Sequence, residues 1–147
     1  MKYHEQCPHC THLVTAYTLP FNTGMADAFI KFAEKYYDGN GKGIKKGNIG
    51  ITNTQYSNFQ NLRHFGIISQ SEKQEWHLTA LGAHFYNADI GIVTPAGHMG
   101  GKTLPDDHLA WKTHSGKRTV LYINQFMPIG YKQRSDFKLE KNTLFEL

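Results

Sequence analysis

The fold is decided by residues 52–87, which read TNTQYSNFQNLRHFGIISQSEKQEWHLTALGAHFYN. Tyr56, Phe59 and Leu62 stand three residues apart, which places their side chains on one face of a helix. The helix is expected to begin after one of the threonines that open this stretch. Gly66 is expected to end it, because glycine readily adopts the left-handed conformation that closes a helix.

A short hairpin and a further helix are predicted directly after this first helix. Residues 67–68 indicate a strand, SQSEKQE an exposed turn, and residues 76–78 the returning strand. Thr79 is a typical N-cap for a helix over LTALGAHFYN. The order helix, strand, turn, strand, helix is typical of the core of a winged helix-turn-helix.

Outside this core the pattern is less regular. A helix is predicted from Thr23 through MADAFIKFAEKYY, followed by a glycine-rich loop with a short turn or strand at 49–51. Periodicity is lost from 88 to 119, and VLYINQFMPIGYK then predicts a β-hairpin around Asn124 and Gln125. We expect an α+β fold in one compact domain with four segments. These are a cysteine-bearing segment at 1–22, a winged-helix core at 23–93, a Gly/His-rich insertion at 94–119, and a β-hairpin with a tail at 120–147.

The charge of the chain is compatible with nucleic-acid binding but is not specific to it. The formal net charge is +4 over 147 residues, a mild excess that many solvated domains share. In a helix-turn-helix the second helix lies in the major groove, where Asn, Gln and Arg pair with base edges. The expected DNA-binding residues are Lys42, Lys45, Lys46, Gln55, Asn58, Asn61, Arg63 and Lys73. The alternative is a winged helix that contacts a protein, because a fold does not determine its ligand.

The block NLRHFGII, a polar wing and WHLTALGAHFY resembles a pattern found in small uncharacterised phage and prophage proteins. Those proteins also begin with a CPxC knuckle and carry a hairpin similar to VLYINQFMPIGYK. The resemblance covers most of residues 7–132, with 94–119 as an insertion and Phe65 where the family often has Trp. It implies phage origin, a zinc knuckle and a winged helix. Two functions follow as expectations: transcriptional regulation through DNA, or inhibition or modulation of a host complex such as a polymerase or a CRISPR-type defence system.

Cys7 and Cys10 have the spacing of a metal knuckle. Zinc prefers about four ligands and no other cysteine is present, so histidines or carboxylates would have to complete the site. The expected ligands are Cys7, Cys10, His108 and His114, with His98 as the alternative. Two free thiols and surface histidines are the competing interpretation.

No complete catalytic site is recognisable, so we do not expect an enzyme. No apolar run reaches membrane-spanning length, and the N-terminus lacks a signal-peptide pattern. We therefore expect no membrane partner and a location in the cytoplasm of a bacterial host. The expected partners are double-stranded DNA or a host protein complex.

Overall fold

The computed structural model describes residues 3–6, 8, 12–114 and 116–127. Within them the chain mixes helices and strands, which confirms the α+β class. The helices are α1 (Thr23–Asp38), α2 (Asn53–Asn61) and α3 (Ala80–Tyr86). The strands are β1 (His4–Gln6), β2 (Leu13–Leu19), β3 (Ile44–Lys45), β4 (Ile68–Gln70), β5 (Glu75–Leu78), β6 (Ile92–Thr94), β7 (Ala96–Met99), β8 (Lys102–Thr103) and β9 (Thr119–Leu121). Short 3-10 turns span Lys46–Asn48, Leu62–Phe65, Leu109–Thr113 and Ile123–Phe126.

Helix α1 lies at the centre of the main core. Its apolar residues fall at helical spacing, and Phe29, Phe32 and Ala33 have no exposed surface. Asn22, not Thr23, is its N-cap: the Asn22 side chain accepts a hydrogen bond from the Met25 backbone N–H at 2.9 Å. Burial on this scale makes α1 the element against which the others pack.

A three-stranded antiparallel sheet lies beside α1 and α2, in the order β3–β5–β4. The predicted hairpin is confirmed as β4 and β5, joined by an exposed turn at 71–74. Trp76 on β5 is buried, and its indole N–H donates to the Tyr56 hydroxyl of α2 at 3.2 Å. The hairpin and α2 therefore form one packed unit. The first strand of this sheet is at Ile44–Lys45. A short turn or strand was expected at 49–51; no strand forms there, and Ile49 instead closes the 3-10 turn Lys46–Asn48.

A second, four-stranded antiparallel sheet has the order β1–β2–β7–β8. It brings residues 13–19 beside residues 96–99, which are far apart in the chain. A two-stranded ribbon pairs β6 with β9. The described residues of 94–119, predicted as a Gly/His-rich insertion without periodicity, thus form short strands and turns.

The predicted C-terminal hairpin falls partly outside the described residues. Its first strand is present as β9, but this strand pairs with β6. The expected turn at Asn124 and Gln125 lies in the 3-10 turn Ile123–Phe126. The expected return strand lies beyond Met127 and so outside the described part of the chain.

No helix among the described residues is long and apolar enough to span a membrane.

Candidate nucleic-acid interface

Helix α2 presents a polar face to solvent. Phe59 and the following Leu62 are fully buried and anchor the opposite side of the helix in the core. Asn53, Thr54 and Ser57 are exposed, and they lie on one side because residues at three- and four-residue spacing are neighbours on a helix. The solvent face is therefore made of short amide and hydroxyl side chains without charge.

Two of the predicted reading residues have other contacts. The Gln55 side-chain oxygen accepts a hydrogen bond from the Thr52 backbone N–H at 3.1 Å, while the Thr52 hydroxyl accepts one from the Gln55 backbone N–H. This reciprocal capping box uses the Gln55 amide to begin the helix. Asn58 lies at the edge of the core, where its amide nitrogen would be 3.0 Å from a Cβ added at Gly24 of α1. The exposed Asn53, Thr54 and Ser57 occupy the solvent face instead.

Three of the predicted DNA-binding lysines lie between α1 and α2, and all three are exposed. The Lys46 ammonium lies 4.6 Å from the centre of the Tyr56 ring, so it is held against the second turn of α2 by a cation–π contact. Lys45 is the cross-strand partner of Glu75, whose carboxylate offsets part of its charge. Lys42 lies in the loop between α1 and β3. Lys46 is thus the lysine with a fixed position next to the helix.

The hairpin turn carries Lys73 at its exposed tip. The turn is closed by a hydrogen bond from the Ser71 backbone N–H to the Glu75 carbonyl at 2.9 Å, and Gln74 has φ +61°. Glu72 is exposed beside Lys73 and carries the opposite charge. The tip therefore offers one cation for a phosphate contact, but Glu72 cancels its net charge.

The other end of α2 borders a groove that was not recognised in the sequence. Asn61, Arg63 and His64 form one wall, and the face of the four-stranded sheet bearing Tyr17 and His98 forms the other, around a volume of about 460 Å³. Tyr17 and His98 share this face because they are cross-strand partners on β2 and β7. The β-branched and aromatic residues of LVTAYTL at 13–19 were a signal for a strand, but its partner strand has no local signal.

Aromatic rings are stacked along this groove. The Tyr17 and His98 ring centres are 5.7 Å apart at 29°, and the His98 and His64 centres are 4.9 Å apart at 19°. His64 is buried, and its Nδ1 forms a hydrogen bond of 2.7 Å with the Thr103 hydroxyl. Burial, then the neighbouring His98 ring and the Arg63 guanidinium, lower the pKa of His64 to about 4. His64 is therefore neutral near pH 7.

A second cavity of about 450 Å³ shares Arg63 and His64 with this groove. Arg118 borders it in a fixed position: its Nε donates to the Pro95 carbonyl at 3.0 Å, and its guanidinium lies 3.8 Å from the centre of the Trp111 ring. Its Nη1 also donates to the Asp106 Oδ1 at 3.0 Å, so the carboxylate offsets the positive charge of Arg118. Arg118 therefore connects Pro95, Asp106 and Trp111 and stabilises the fold of this part of the chain.

The histidines proposed as zinc ligands lie in different surroundings. His108 contacts the Tyr3 ring edge-on at 5.3 Å and its Nδ1 accepts from the Ala110 N–H, whereas His114 lies against Trp111. Tyr3 packs with Ala16, Leu104 and Ala110 on one face of the four-stranded sheet, and His98 lies on the opposite face. In the described part of the chain no three His, Cys, Asp or Glu side chains are grouped to hold a metal. Cys7 and Cys10 lie outside the described residues, so the zinc site stays a prediction.

Neither a protein-family model, nor a characterised protein, nor a solved structure matches this chain. The function must therefore be argued from the geometry.

Proposed function

We propose that residues 23–93 form a winged helix-turn-helix and that the chain binds double-stranded DNA through the solvent face of α2 as a transcriptional regulator. The observation that carries this proposal is the position of α2 in the chain and in space. It follows α1 and β3, precedes the β4–β5 hairpin, and leaves a polar face uncovered beside that hairpin. A recognition helix needs an exposed face of this kind to contact base edges in the major groove.

The side chains on and around α2 support the same proposal. Asn53, Thr54 and Ser57 carry groups that can donate to and accept from base edges. Exposed cations flank this face: Lys46 against the second turn, Arg63 just after the last turn, and Lys73 on the hairpin. Phosphate contacts from such cations would position the helix, while the uncharged face would read bases.

Substitution of Arg63 tests the assignment. Arg63→Ala should weaken duplex binding by a similar factor for every sequence and lower the magnitude of its salt dependence by about one phosphate contact. The matched control is Lys112→Ala. Lys112 is an exposed cation in the Leu109–Thr113 turn, which packs on the far face of the four-stranded sheet. Affinity for a selected duplex can be measured by fluorescence anisotropy. Equal losses for the two variants would contradict a specific role of Arg63.

A second function is favoured by a different surface. Val93 and Val120 are cross-strand partners on the β6–β9 ribbon, and both are substantially exposed, at 40% and 58%. Tyr122, at the end of β9, is 48% exposed. Exposed apolar side chains that adjoin one another are typical of protein contacts. They support the alternative that the chain inhibits or modulates a host protein complex.

The two functions predict different losses: Val120→Asp should abolish binding of a protein partner, whereas Arg63→Ala should weaken binding of duplex DNA. If a host protein is the ligand, the chain should bind no duplex at low salt, and Val120→Asp should abolish co-purification of one reproducible partner. Leu109→Asp is the control, because Leu109 has the same 58% exposure at another site. Duplex binding that is indifferent to both substitutions but lost in Arg63→Ala would contradict this alternative.

A further inference from the structure

The groove at the end of α2 has the properties of a site for an unpaired base. Its volume of about 460 Å³ lies in the range of roughly 300–1,000 Å³ that is typical of pockets for small ligands. It is open to solvent, so a nucleotide that belongs to a longer strand can enter it. Its position directly after α2 places it next to the proposed duplex contact.

Tyr17 supplies an exposed ring on a rigid support. It is 57% exposed, although it lies in β2, which has a partner strand on each side. The ring stacks on His98, which stacks on His64, and the His64 ring is tied to Thr103. A ring that is fixed in this way loses little conformational entropy when a base stacks on it.

The charges of the groove favour a nucleic-acid strand. Among the described residues that line it, Arg63 is the only permanently charged side chain, and no carboxylate is present. The His64 ring is neutral near pH 7, because its pKa is about 4. Asn61, beside Arg63, offers an amide that can both donate to and accept from a base edge.

We propose that this groove binds one unpaired nucleobase of a single strand, with the base stacked on Tyr17, its edge at Asn61 and its phosphate at Arg63. The proposal deepens the proposed DNA-binding function and rests on it for the placement of the groove beside a duplex. Recognition by a ring and a cation is largely independent of sequence, since every base has a stacking face. A junction between duplex and single strand would occupy α2 and the groove together.

The test is fluorescence anisotropy with two separate probes, a labelled oligothymidine of about 15 nucleotides and a blunt duplex of the same length. Tyr17→Ala should weaken oligothymidine binding by about 5- to 100-fold, and Tyr17→Phe should retain it. Tyr17→Leu, which keeps apolar bulk on the sheet, should lose binding as Tyr17→Ala does. Affinity for the blunt duplex should change less than about 2-fold, because α2 is untouched.

Tyr122→Ala is the matched control, because it removes another exposed tyrosine, at the end of β9. The proposal is overturned if the parent protein binds no oligothymidine, if Tyr17→Ala or Tyr17→Leu binds it as well as the parent, or if Tyr122→Ala loses as much. An absence of duplex binding with intact Tyr17-dependent oligothymidine binding would contradict the proposed function and leave the groove assignment supported.

Discussion

At Gly82 the backbone of α3 approaches the strand-bearing part of the chain so closely that no side chain fits between them. A Cβ at this position would meet the carbonyl oxygen of Ile67 and also the Leu78 side chain. The Gly82 N–H is meanwhile the group that the Thr79 cap binds, at 2.9 Å. A single missing side chain therefore sets how closely α3 lies against the β4–β5 hairpin.

Gly82→Ala should destabilise the protein, although the same substitution in an ordinary helix interior stabilises by about 1 kcal/mol. The backbone oxygen of Ile67 cannot move aside, so we expect a loss of roughly 2 kcal/mol or more in the free energy of unfolding. Urea denaturation measures it. Gly47→Ala is the control, because a Cβ there meets nothing within 4 Å. Equal stability of Gly82→Ala and the parent would show that α3 lies further from Ile67.

His64 couples stability to pH at the residue scale. Its folded-state pKa of about 4 lies below the ordinary 6.5, so the unfolded chain binds the proton more tightly. Stability should therefore be complete above about pH 6.5 and fall as the pH is lowered toward 4. The groove admits solvent, which screens the effect, and we expect about 1–2 kcal/mol from this group.

His64→Gln provides the comparison for this pH effect. The free energy of unfolding, measured by urea titration at steps between pH 4 and 7, should depend less on pH in the variant than in the parent. An unchanged slope in His64→Gln would place the source of the pH dependence elsewhere.

At the scale of elements, local signals in the sequence were strongest where a cap and a hydrophobic face coincide. Thr52 and Thr79 were both recognised as possible caps, and both serve as such. The pattern Thr-x-x-Gln was also a capping-box signal, and it shows why Gln55 is less available to a ligand than its position suggested. Asn58 could not be placed in the same way, because its neighbour Gly24 belongs to another helix.

Thr79 joins two elements through one hydroxyl. The hydroxyl accepts a hydrogen bond from the Gly82 N–H, and its own proton is donated to the Gly66 carbonyl at 2.6 Å. Gly66 has φ +79° and closes the turn after α2. Thr79→Ala should lower the free energy of unfolding by about 1–2 kcal/mol, because both groups lose their partner. Thr79→Ser keeps the hydroxyl and should retain most of the parent's free energy of unfolding. Equal losses for the two variants in thermal denaturation would assign the effect to the methyl group instead.

At the scale of the whole molecule, the part formed by contacts near in sequence was predictable and the four-stranded sheet was not. Strands β7 and β8 have only four and two residues and contain or adjoin glycines, so they carry no readable alternation. The pairing of β7 with β2 joins positions about 80 residues apart, which no local pattern encodes. The groove between that sheet and α2 was missed for the same reason, whereas Arg63 on its wall was named from the helix alone.

The proposed function requires that α2 and its flanking cations bind duplex DNA. The most direct measurement is the affinity of the untagged chain for a duplex pool as the salt concentration is raised. With four or five phosphate contacts, we expect log K to fall with log salt at a slope of roughly −4. Lys46→Ala should reduce the magnitude of this slope by about one, and Lys112→Ala should leave it unchanged. No duplex binding at low salt, with Arg63, Lys45 and Lys46 intact, would contradict the proposed function.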